Sequence, residues 1–206
     1  MKIIILSDVH GNIKHIEKLC RKYKKRPILQ LGDLGVGFIP RAVVEELPAN
    51  FYFFPGNHDN RSEAITYKNC VGHYGDWKGI FFVSGADSVD KEWRIEGVSW
   101  WADEELTYQQ GQDCINKWEA SKSEVIISHD CPQFIAENFK LIYDRSITRN
   151  LLDSMVFVRK PRLVIFGHHH RPFLQEFKGT EFRGLGIDEH ITLDITKNND
   201  INFKLT

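Results

Sequence analysis

The sequence predicts a mixed α/β domain in which two β-sheets pack face to face and helices cover their outer surfaces. Short apolar runs rich in β-branched residues alternate with segments whose apolar residues recur roughly every three to four positions. From Phe173 to the end, apolar and polar residues alternate between glycines, which predicts two or three antiparallel strands. With 206 residues and no break in composition, we expect a single domain over 1–206.

The first part of the chain predicts three buried strands, each followed by a helical segment. Lys2–Ser7 contains four consecutive aliphatic residues, which is typical of a strand buried on both faces. Asn12–Lys24 carries its apolar residues at helical spacing, which predicts an amphipathic helix. The other predicted elements are strands at Pro27–Leu31 and Phe51–Phe54, a short helix at Pro40–Leu47, and a short helix or loop at Arg61–Asn69.

The second part of the chain predicts another group of strands and helices. Gly79–Ser84 and Trp93–Ser99 are expected to pair as antiparallel strands across a polar loop. Beyond them the pattern predicts helices at Thr107–Ser121 and Ile147–Val158 and buried strands at Glu124–Ser128 and Arg162–Phe166.

The composition excludes several classes of protein. The 27 Lys+Arg and 28 Asp+Glu residues give a net charge of −1, so we expect no extended nucleic-acid binding and no attraction to an anionic membrane. No apolar run is long enough to span a bilayer, and the N-terminal run is too short for a signal peptide. The four cysteines form no C-x-x-C pair and suit a reducing compartment, so we expect a soluble, cytoplasmic protein.

The nine histidines are an unusual excess, and potential metal ligands follow five of the predicted strands. Ligands in α/β sheets bind outside the carboxyl ends of the strands, so these side chains are expected to meet at one edge. The groups, in chain order, are Asp8 and His10, then Asp33, then Asn57-His58-Asp59, then His129, then His168-His169-His170.

Taken in order, D-x-H, G-D, G-N-H-D, H and G-H-x-H resemble the motifs of the calcineurin-like metallophosphoesterase superfamily, in particular its small bacterial and phage members. The resemblance implies a four-layer α/β/β/α sandwich of two mixed sheets. It also implies two divalent metal ions. One would be held by Asp8, His10 and His170, the other by Asn57, His129 and His168, with Asp33 bridging them. A nitrogen and oxygen ligand set without thiolates favours Mn²⁺, with Fe, Zn²⁺, Co²⁺ or Ni²⁺ as alternatives.

The resemblance further implies a phosphoesterase in which a hydroxide that bridges the metals attacks phosphorus in line. His58 would face the leaving-group oxygen as its proton donor or as a charge stabiliser, and Asp59 could set the tautomer of His58 and favour its imidazolium form. The substrate would be a phosphorylated small molecule, a nucleotide or a phosphoprotein, cleaved as a phosphomonoester or a phosphodiester. No arginine directly follows Asp33, and Asp59 stands where protein Ser/Thr phosphatases have Glu, so the resemblance to that branch is partial.

Three further residues are candidates for substrate binding, each with a structural alternative. Arg61 either reaches the substrate phosphate or is a solvated loop arginine. His169, the variable position of G-H-x-H, either lines the pocket or does not contact it. Arg94 lies in the segment 84–106, which is either a lid or a packing element whose Trp100 and Trp101 pack inward while 103–105 are solvated. Packing is the expectation we favour, because aromatic residues usually lie in the core.

Two other functions remain open from the sequence. The same scaffold could serve as a non-catalytic, metal-binding interaction module, although His58 and the complete ligand set argue against it. It could also act as a nucleotide phosphodiesterase or a nuclease with a short local binding track. The oligomeric state is open.

Overall fold

The computed structural model describes residues 1–140 and 146–195 in full and the backbone of 201–205. Its strands are β1 (Lys2–Leu6), β2 (Ile28–Gln30), β3 (Phe51–Phe53), β4 (Tyr74–Trp77), β5 (Ile80–Val83), β6 (Val125–Ser128), β7 (Leu163–Phe166), β8 (Phe173–Phe177), β9 (Thr180–Gly184), β10 (His190–Ile195) and β11 (Ile201–Leu205). Its helices are α1 (Ile13–Lys22), α2 (Arg41–Glu45), α3 (Arg61–Ala64), α4 (Tyr108–Ala120), α5 (Gln133–Ala136) and α6 (Ile147–Val158).

The strands form two mixed sheets. One has the order β11-β10-β1-β2-β3 and the other the order β4-β5-β6-β7-β9-β8. Within the first, β1, β2 and β3 are parallel, and within the second β5, β6, β7 and β9 are parallel. Parallel strands end at the same edge of a sheet, so the segments that follow them are brought together there.

Alternation of side chains along the strands produces the layers. In β1, Ile3 and Ile5 belong to the core between the two sheets, whereas Ile4 and Leu6 pack in the core under α1 to α3. In the second sheet Ile127 faces the inter-sheet core, and its neighbour Ile126 packs with residues of α4 and α6. Three cores therefore separate four layers, and the α/β/β/α sandwich expected from the sequence is confirmed.

Local sequence explains where the longer helices begin. Asn12 caps α1 by accepting a hydrogen bond from the His15 amide. Thr107 and Gln110 form a reciprocal capping box at the start of α4. The helices α4 and α6 are joined through the buried ring of Trp118, whose indole N–H donates to the carbonyl oxygen of Met155 at 2.9 Å.

The prediction of a strand at Trp93–Ser99 is wrong. Lys91–Trp93 is a 3₁₀ turn, and the chain then folds back so that the Ser99 amide donates to the Ile95 carbonyl at 2.8 Å. The antiparallel partner of β5 is instead β4, which the sequence did not predict. Its residues include Gly75 and Asp76, which are poor strand formers, so an edge strand of this composition carries little signal.

The segment from Phe173 onward forms four described strands rather than two or three. β8 and β9 form a hairpin that joins the six-stranded sheet, whereas β10 and β11 complete the five-stranded one. The alternating pattern indicated strands correctly but could not show that they divide between two sheets. None of the helices in the described ranges has the length and apolar character needed to cross a lipid bilayer.

Candidate metal centre

The seven predicted metal ligands meet at one edge of the two sheets. Two groups of potential ligand atoms share Asp33, and within each group the atoms lie within 4.8 Å of one another. One group contains Asp8, His10, Asp33 and His170, and the other contains Asp33, His129 and His168. Asn57 joins the second group, because its side-chain oxygen lies 2.9 Å from Nε2 of His129. The structure thus brings together the side chains assigned to each metal; that they bind metal stays a prediction.

The first group is built around two histidines whose ring nitrogens converge. Nε2 of His10 lies 2.9 Å from Nε2 of His170, and it lies 3.8 Å from Oδ2 of Asp33. Nε2 of His170 lies 3.2 Å from Oδ2 of Asp8. The Asp8 carboxylate is held by the Ser7 hydroxyl and by the backbone amide of His168, each at 2.9 Å.

The second group is oriented by hydrogen bonds from outside it. Nδ1 of His129 lies 2.8 Å from the Leu31 carbonyl oxygen, so Nδ1 carries the proton and Nε2 of the neutral ring is an acceptor. The amide nitrogen of Asn57 donates to Ser88 Oγ at 2.9 Å, which turns the Asn57 oxygen toward His129. Oδ1 of Asp33 lies 3.3 Å from the same Nε2.

The donor atoms of this centre fit divalent cations. In the second group, Nε2 of His129 faces two oxygens that can only accept, so this position needs either a proton on Nε2 or a metal cation among the three atoms. Oδ2 of Asp33 is buried without a hydrogen-bond partner, which is costly for a carboxylate oxygen unless a cation binds it. Burial opposes a charge on His129, but the carboxylates of Asp33 and Asp8 outweigh it and raise the pKa of His129 to about 10. The centre therefore attracts positive charge strongly.

Four of the proposed ligands have a strained backbone. The φ angles of His10, Asp33, His168 and His170 are 41°, 58°, 60° and 57°, in the left-handed region that non-glycine residues rarely adopt. Each such residue costs on the order of 1–3 kcal/mol, and this kind of strain is concentrated at functional sites. The occurrence of this backbone strain at four residues of one cluster supports a functional origin.

Two glycines allow the ligands to approach the backbone. A Cβ atom on Gly56 would lie 2.2 Å from Oδ1 of Asp33 and 2.7 Å from Nε2 of His129. A Cβ atom on Gly167 would lie 2.1 Å from Oδ1 of Asp8. The G-N-H-D and G-H-x-H motifs therefore need glycine for space at the carboxylates, a different reason from the sharp turns that such glycines usually serve.

His58 lies beside the ligands and contacts Arg94. Its backbone amide donates to Oδ1 of Asp33 at 2.8 Å, and its ring lies 5.3 Å from the ring of His10. The guanidinium of Arg94 reaches both ring nitrogens of His58 and is itself fixed by two 2.7 Å hydrogen bonds to the Asp90 carboxylate. Arg94 thus lies where the sequence suggested a substrate-binding residue could lie.

The expected contact between Asp59 and His58 is wrong. Both oxygens of the buried Asp59 carboxylate accept hydrogen bonds from backbone N–H groups, those of Leu34, Gly35, Val36 and Gly56. The side chain therefore points away from the His58 ring and ties the loop after β2 to the loop after β3. Burial, with the nearby charge of Asp33, raises the pKa of this carboxyl group.

Arg61 is also not where a substrate-binding residue would be. It is buried, and its guanidinium donates to the Glu104 carbonyl at 3.1 Å and to Nδ1 of His73 at 2.9 Å. It lines a second cavity of about 540 Å³ rather than the cleft over the metal ligands. Arg61, the first residue of α3, therefore holds the loop that carries the G-N-H-D motif and does not face the cleft.

His169 lines the cleft, but its ring is engaged by other residues. Nε2 of His169 lies 3.0 Å from Oδ1 of Asp130, and the ring stacks on Phe139 with a centroid distance of 4.3 Å. Asp130 in turn binds the buried Arg149, Nε to Oδ2, at 2.7 Å. Sequence reasoning missed Asp130, although its position directly after His129 was a usable signal.

The segment 84–106 does more than pack. Its Trp101 is buried and lies 5.3 Å from the ring of Phe38, as the packing hypothesis expected. Glu104, however, is buried rather than solvated, and its carboxylate accepts hydrogen bonds from the amide and hydroxyl of Ser88. Ser88 then orients Asn57. This link had no sequence signal, because Glu104 is distant from every motif.

A cleft opens above the ligands. It has a volume of about 440 Å³ and continues beside His10 and His58 into a lobe of about 350 Å³. One side is contributed by Val89, Asp90 and Arg94 of the segment 84–106, and the other by Phe139 and the run His168 to Arg171. Such a cleft is large enough for a small molecule to reach the proposed metal ligands.

Comparison with known proteins supports the fold. The chain matches no curated protein. A dimetal phosphatase from Danio rerio has a similar fold, with a TM-score of 0.64 at 13% identity over 100% of this chain and 95% of that one. The calcineurin-like phosphoesterase YfkN of Bacillus subtilis gives a TM-score of 0.53 at 12% identity, over 100% of this chain and 88% of that one. GAP50, the anchor in the inner membrane complex of Plasmodium, gives a TM-score of 0.53 at 11% identity, over 99% of this chain and 84% of that one.

At these identities the structural similarities show the fold alone. The sequence model of the calcineurin-like phosphoesterases matches residues 1–172, which contain all five motifs and both groups of ligand atoms. The chain therefore belongs to the calcineurin-like phosphoesterase family.

Proposed function

We propose that this protein is a dinuclear-metal phosphoesterase that hydrolyses phosphomonoesters, phosphodiesters or both. The observation that carries the proposal is the position of Asp33, which is shared by two groups of ligand atoms and has one buried oxygen without a partner. Asp8, His10 and His170 would hold one ion, and Asn57, His129 and His168 the other. When bound, two divalent ions supply a nucleophile near neutral pH and neutralise the phosphate oxygens.

The chain's own residues would orient the substrate and its leaving group. His58 lies at the cleft beside His10, within reach of the leaving-group oxygen of a phosphate bound over the ligands. Arg94 can only donate hydrogen bonds, and its shorter contact, 2.8 Å, is to Nδ1 of His58. The ring proton of neutral His58 therefore belongs on Nε2, from where it can donate a hydrogen bond that stabilises charge on the departing oxygen. Full transfer of a proton to that oxygen would require the imidazolium form of His58.

Arg94 would also attract the substrate. Its charge is partly balanced by Asp90, but the guanidinium borders both lobes of the cleft and remains accessible to a phosphate oxygen. Mn²⁺ is our preferred metal because the donors are imidazole, carboxylate and amide groups without thiolate. We also propose a cytoplasmic location, which suits the four free cysteines.

The direct test is hydrolysis of p-nitrophenyl phosphate and bis-p-nitrophenyl phosphate by the chelator-treated protein, with and without added Mn²⁺. Metal-dependent turnover of either ester supports the proposal, and the ratio of the two rates distinguishes monoesterase from diesterase activity. Turnover by His58→Ala, with its metal content measured, should fall by about 10²- to 10⁴-fold. His15→Ala, on α1 outside the cleft, is the matched control. No metal-dependent turnover of either ester by the wild type would refute the proposal.

A second candidate is an interaction module on the same scaffold. It is favoured by one observation: Val89, Trp93, Ile95 and Val98 of the segment 84–106 are all exposed by 60% or more of their surface beside the cleft. The Plasmodium anchor shows that a protein of similar fold can have a structural role. Failure of both ester substrates with metals bound would favour this candidate. If the diester is cleaved, a short oligonucleotide substrate tests the nuclease alternative.

A further inference from the structure

We propose that Arg171, stacked on Phe139, forms a second anion-binding position in the cleft, so that the substrate carries a phosphate or carboxylate group in addition to the scissile phosphate. The inference rests on the proposed function and deepens it by naming a substrate class. Arg171 directly follows the proposed ligand His170 and lines the cleft together with Phe139.

The guanidinium of Arg171 has a defined position. Its central carbon lies 4.4 Å from the centroid of the Phe139 ring, a cation–π distance. The His169 ring is parallel to Phe139, at 6° and 4.3 Å, and so covers one face of it. We infer that Arg171 covers the opposite face, because two planar groups cannot occupy one face at these distances. The flat guanidinium is then oriented before any ligand binds, which reduces the entropy lost on binding.

This stack is connected to the buried interior. His169 is held by Asp130, whose second carboxylate oxygen binds Arg149, and both of these residues are buried. The chain of contacts Arg149, Asp130, His169, Phe139 therefore gives Arg171 a rigid platform. A surface arginine with a solvated, freely rotating side chain has no such platform.

The charges of the cleft differ between its two sides. Arg94 is paired with the Asp90 carboxylate at 2.7 Å. Arg171 is exposed, and none of the carboxylates in residues 1–140 and 146–195 forms an ion pair with it. Its donors are thus available to an external anion, and a guanidinium binds phosphate or carboxylate oxygens in a two-point geometry.

The position is separate from that of the scissile phosphate. The Phe139 ring and the His169 ring stand between Arg171 and His168, whose ring lies 5.1 Å from that of His169. An anion at Arg171 is therefore spaced from a phosphate bound at the metal ligands. A single substrate that satisfies both positions has two anionic groups joined by a linker long enough to pass the two stacked rings.

Three non-hydrolysable probes test this inference on the Mn²⁺-loaded protein. Methylphosphonate has one anionic group, 6-phosphonohexanoate adds a carboxylate, and hexane-1,6-bisphosphonate adds a second phosphonate, each on a linker that can pass the two stacked rings. Dissociation constants are measured by calorimetry, and inhibition constants are measured against p-nitrophenyl phosphate. Variants Arg171→Ala and Arg171→Lys are compared with wild type and with Arg21→Ala, which removes an exposed arginine on α1 far from the cleft.

We expect the wild type to bind one or both two-anion probes more tightly than methylphosphonate. Arg171→Ala should weaken those probes roughly fivefold to tenfold and methylphosphonate by less than about twofold. Arg171→Lys should retain part of the preference, and the preference should shrink as salt is raised, because the site is exposed. The probe with the larger Arg171-dependent gain identifies the second group as carboxylate or phosphate.

Equal binding of all three probes by the wild type, or equal weakening of all three in Arg171→Ala, would overturn the inference. Because calorimetry does not require turnover, a preference for two-anion probes without ester hydrolysis would refute the proposed function and keep the second position. Ester hydrolysis without a preference for the two-anion probes would support the proposed function and refute the second anion-binding position.

Discussion

The guanidinium of Arg94 lies 2.8 Å from Nδ1 and 3.2 Å from Nε2 of His58, although the two residues belong to different loops. Asp90 holds the guanidinium in place. Burial and the charge of Arg94 both act to lower the pKa of His58, against the opposing pull of Asp33. Burial, supported by Arg94, therefore favours neutral His58, whereas its sequence neighbour Asp59 was expected to favour the imidazolium.

Replacing Arg94 should impair catalysis more than it impairs metal binding. We expect Arg94→Ala to lower kcat/KM by roughly 10- to 100-fold, because a cationic donor at both His58 and the cleft is lost. Arg94→Lys should recover only part of this loss, since lysine lacks the planar fork. Lys91→Ala, which removes an exposed cation of the same segment paired with Asp87, is the control. Wild-type kinetics in Arg94→Ala with metals verified would exclude this role.

Glu104 should control the affinity of one metal position through Ser88 and Asn57. In Glu104→Gln, an amide N–H group replaces the carboxylate oxygen that accepts a hydrogen bond from the Ser88 hydroxyl. Ser88 then has no acceptor there, and the orientation that it gives to Asn57 is lost. We expect about 10- to 100-fold weaker binding of one of two metal ions, measured by calorimetry. Glu105→Gln is the matched control, because Glu105 instead accepts hydrogen bonds from Ser146 and Thr148 at the start of α6. Equal metal affinity in both variants would contradict the link.

Gly56 should tolerate no side chain. A Cβ atom there would overlap Oδ1 of Asp33 at 2.2 Å, so Gly56→Ala should destabilise the fold by about 1–3 kcal/mol and displace a ligand of both metals. Gly111→Ala offers the opposite expectation: its Cβ would meet Leu151 only at 3.9 Å, and alanine in α4 should stabilise by up to about 1 kcal/mol. Urea unfolding of both variants, with metal content measured, distinguishes the two. Full metal binding by Gly56→Ala would show that the space is not needed.

His73 should make the protein less stable in acid. Burial and the neighbouring guanidinium of Arg61 lower the pKa of His73 from 6.5 to about 4. Between these values the unfolded chain binds more protons than the folded one, so the contribution of His73 to stability is lost as the pH falls from about 6.5 to about 4. Relative to His73→Gln, which accepts a hydrogen bond but does not titrate, the wild type should lose about 1–2 kcal/mol more between pH 7 and pH 4.5. The same pH dependence of the free energy of unfolding in both proteins would contradict the lowered pKa of His73.

The sequence predicted the layers and the cluster of ligands because both depend on patterns local to the chain. Aliphatic runs such as Ile3–Leu6 mark buried strands, and a ligand that follows a parallel strand must lie at its carboxyl edge. Asp8, Asp33 and His129 could be placed in this way before any coordinates were known. The edge strand Tyr74–Trp77 could not, because it is only four residues long and Gly75 and Asp76 at its centre are poor strand formers.

Contacts between loops could not be predicted from local sequence patterns. Adjacency to His58 made Asp59 the apparent partner of that ring, but consecutive residues in a loop point in different directions, and Asp59 binds backbone amides instead. The actual partner, Arg94, comes from a segment with irregular backbone in which a strand was wrongly expected. The platform of Arg171 likewise depends on Phe139, which ends the 3₁₀ turn that follows α5.

The central claim is that Asp33 joins two metal positions into one hydrolytic centre. Its most direct measurement is a titration of chelator-treated protein with Mn²⁺ in which bound metal per chain and turnover of the better nitrophenyl ester are followed together, for the wild type and for Asp33→Asn. The wild type should bind two ions and reach full turnover only as the second is bound. Asp33→Asn should bind both weakly and lose at least about 100-fold in turnover. Retention of two tightly bound ions and wild-type turnover by Asp33→Asn would contradict the claim.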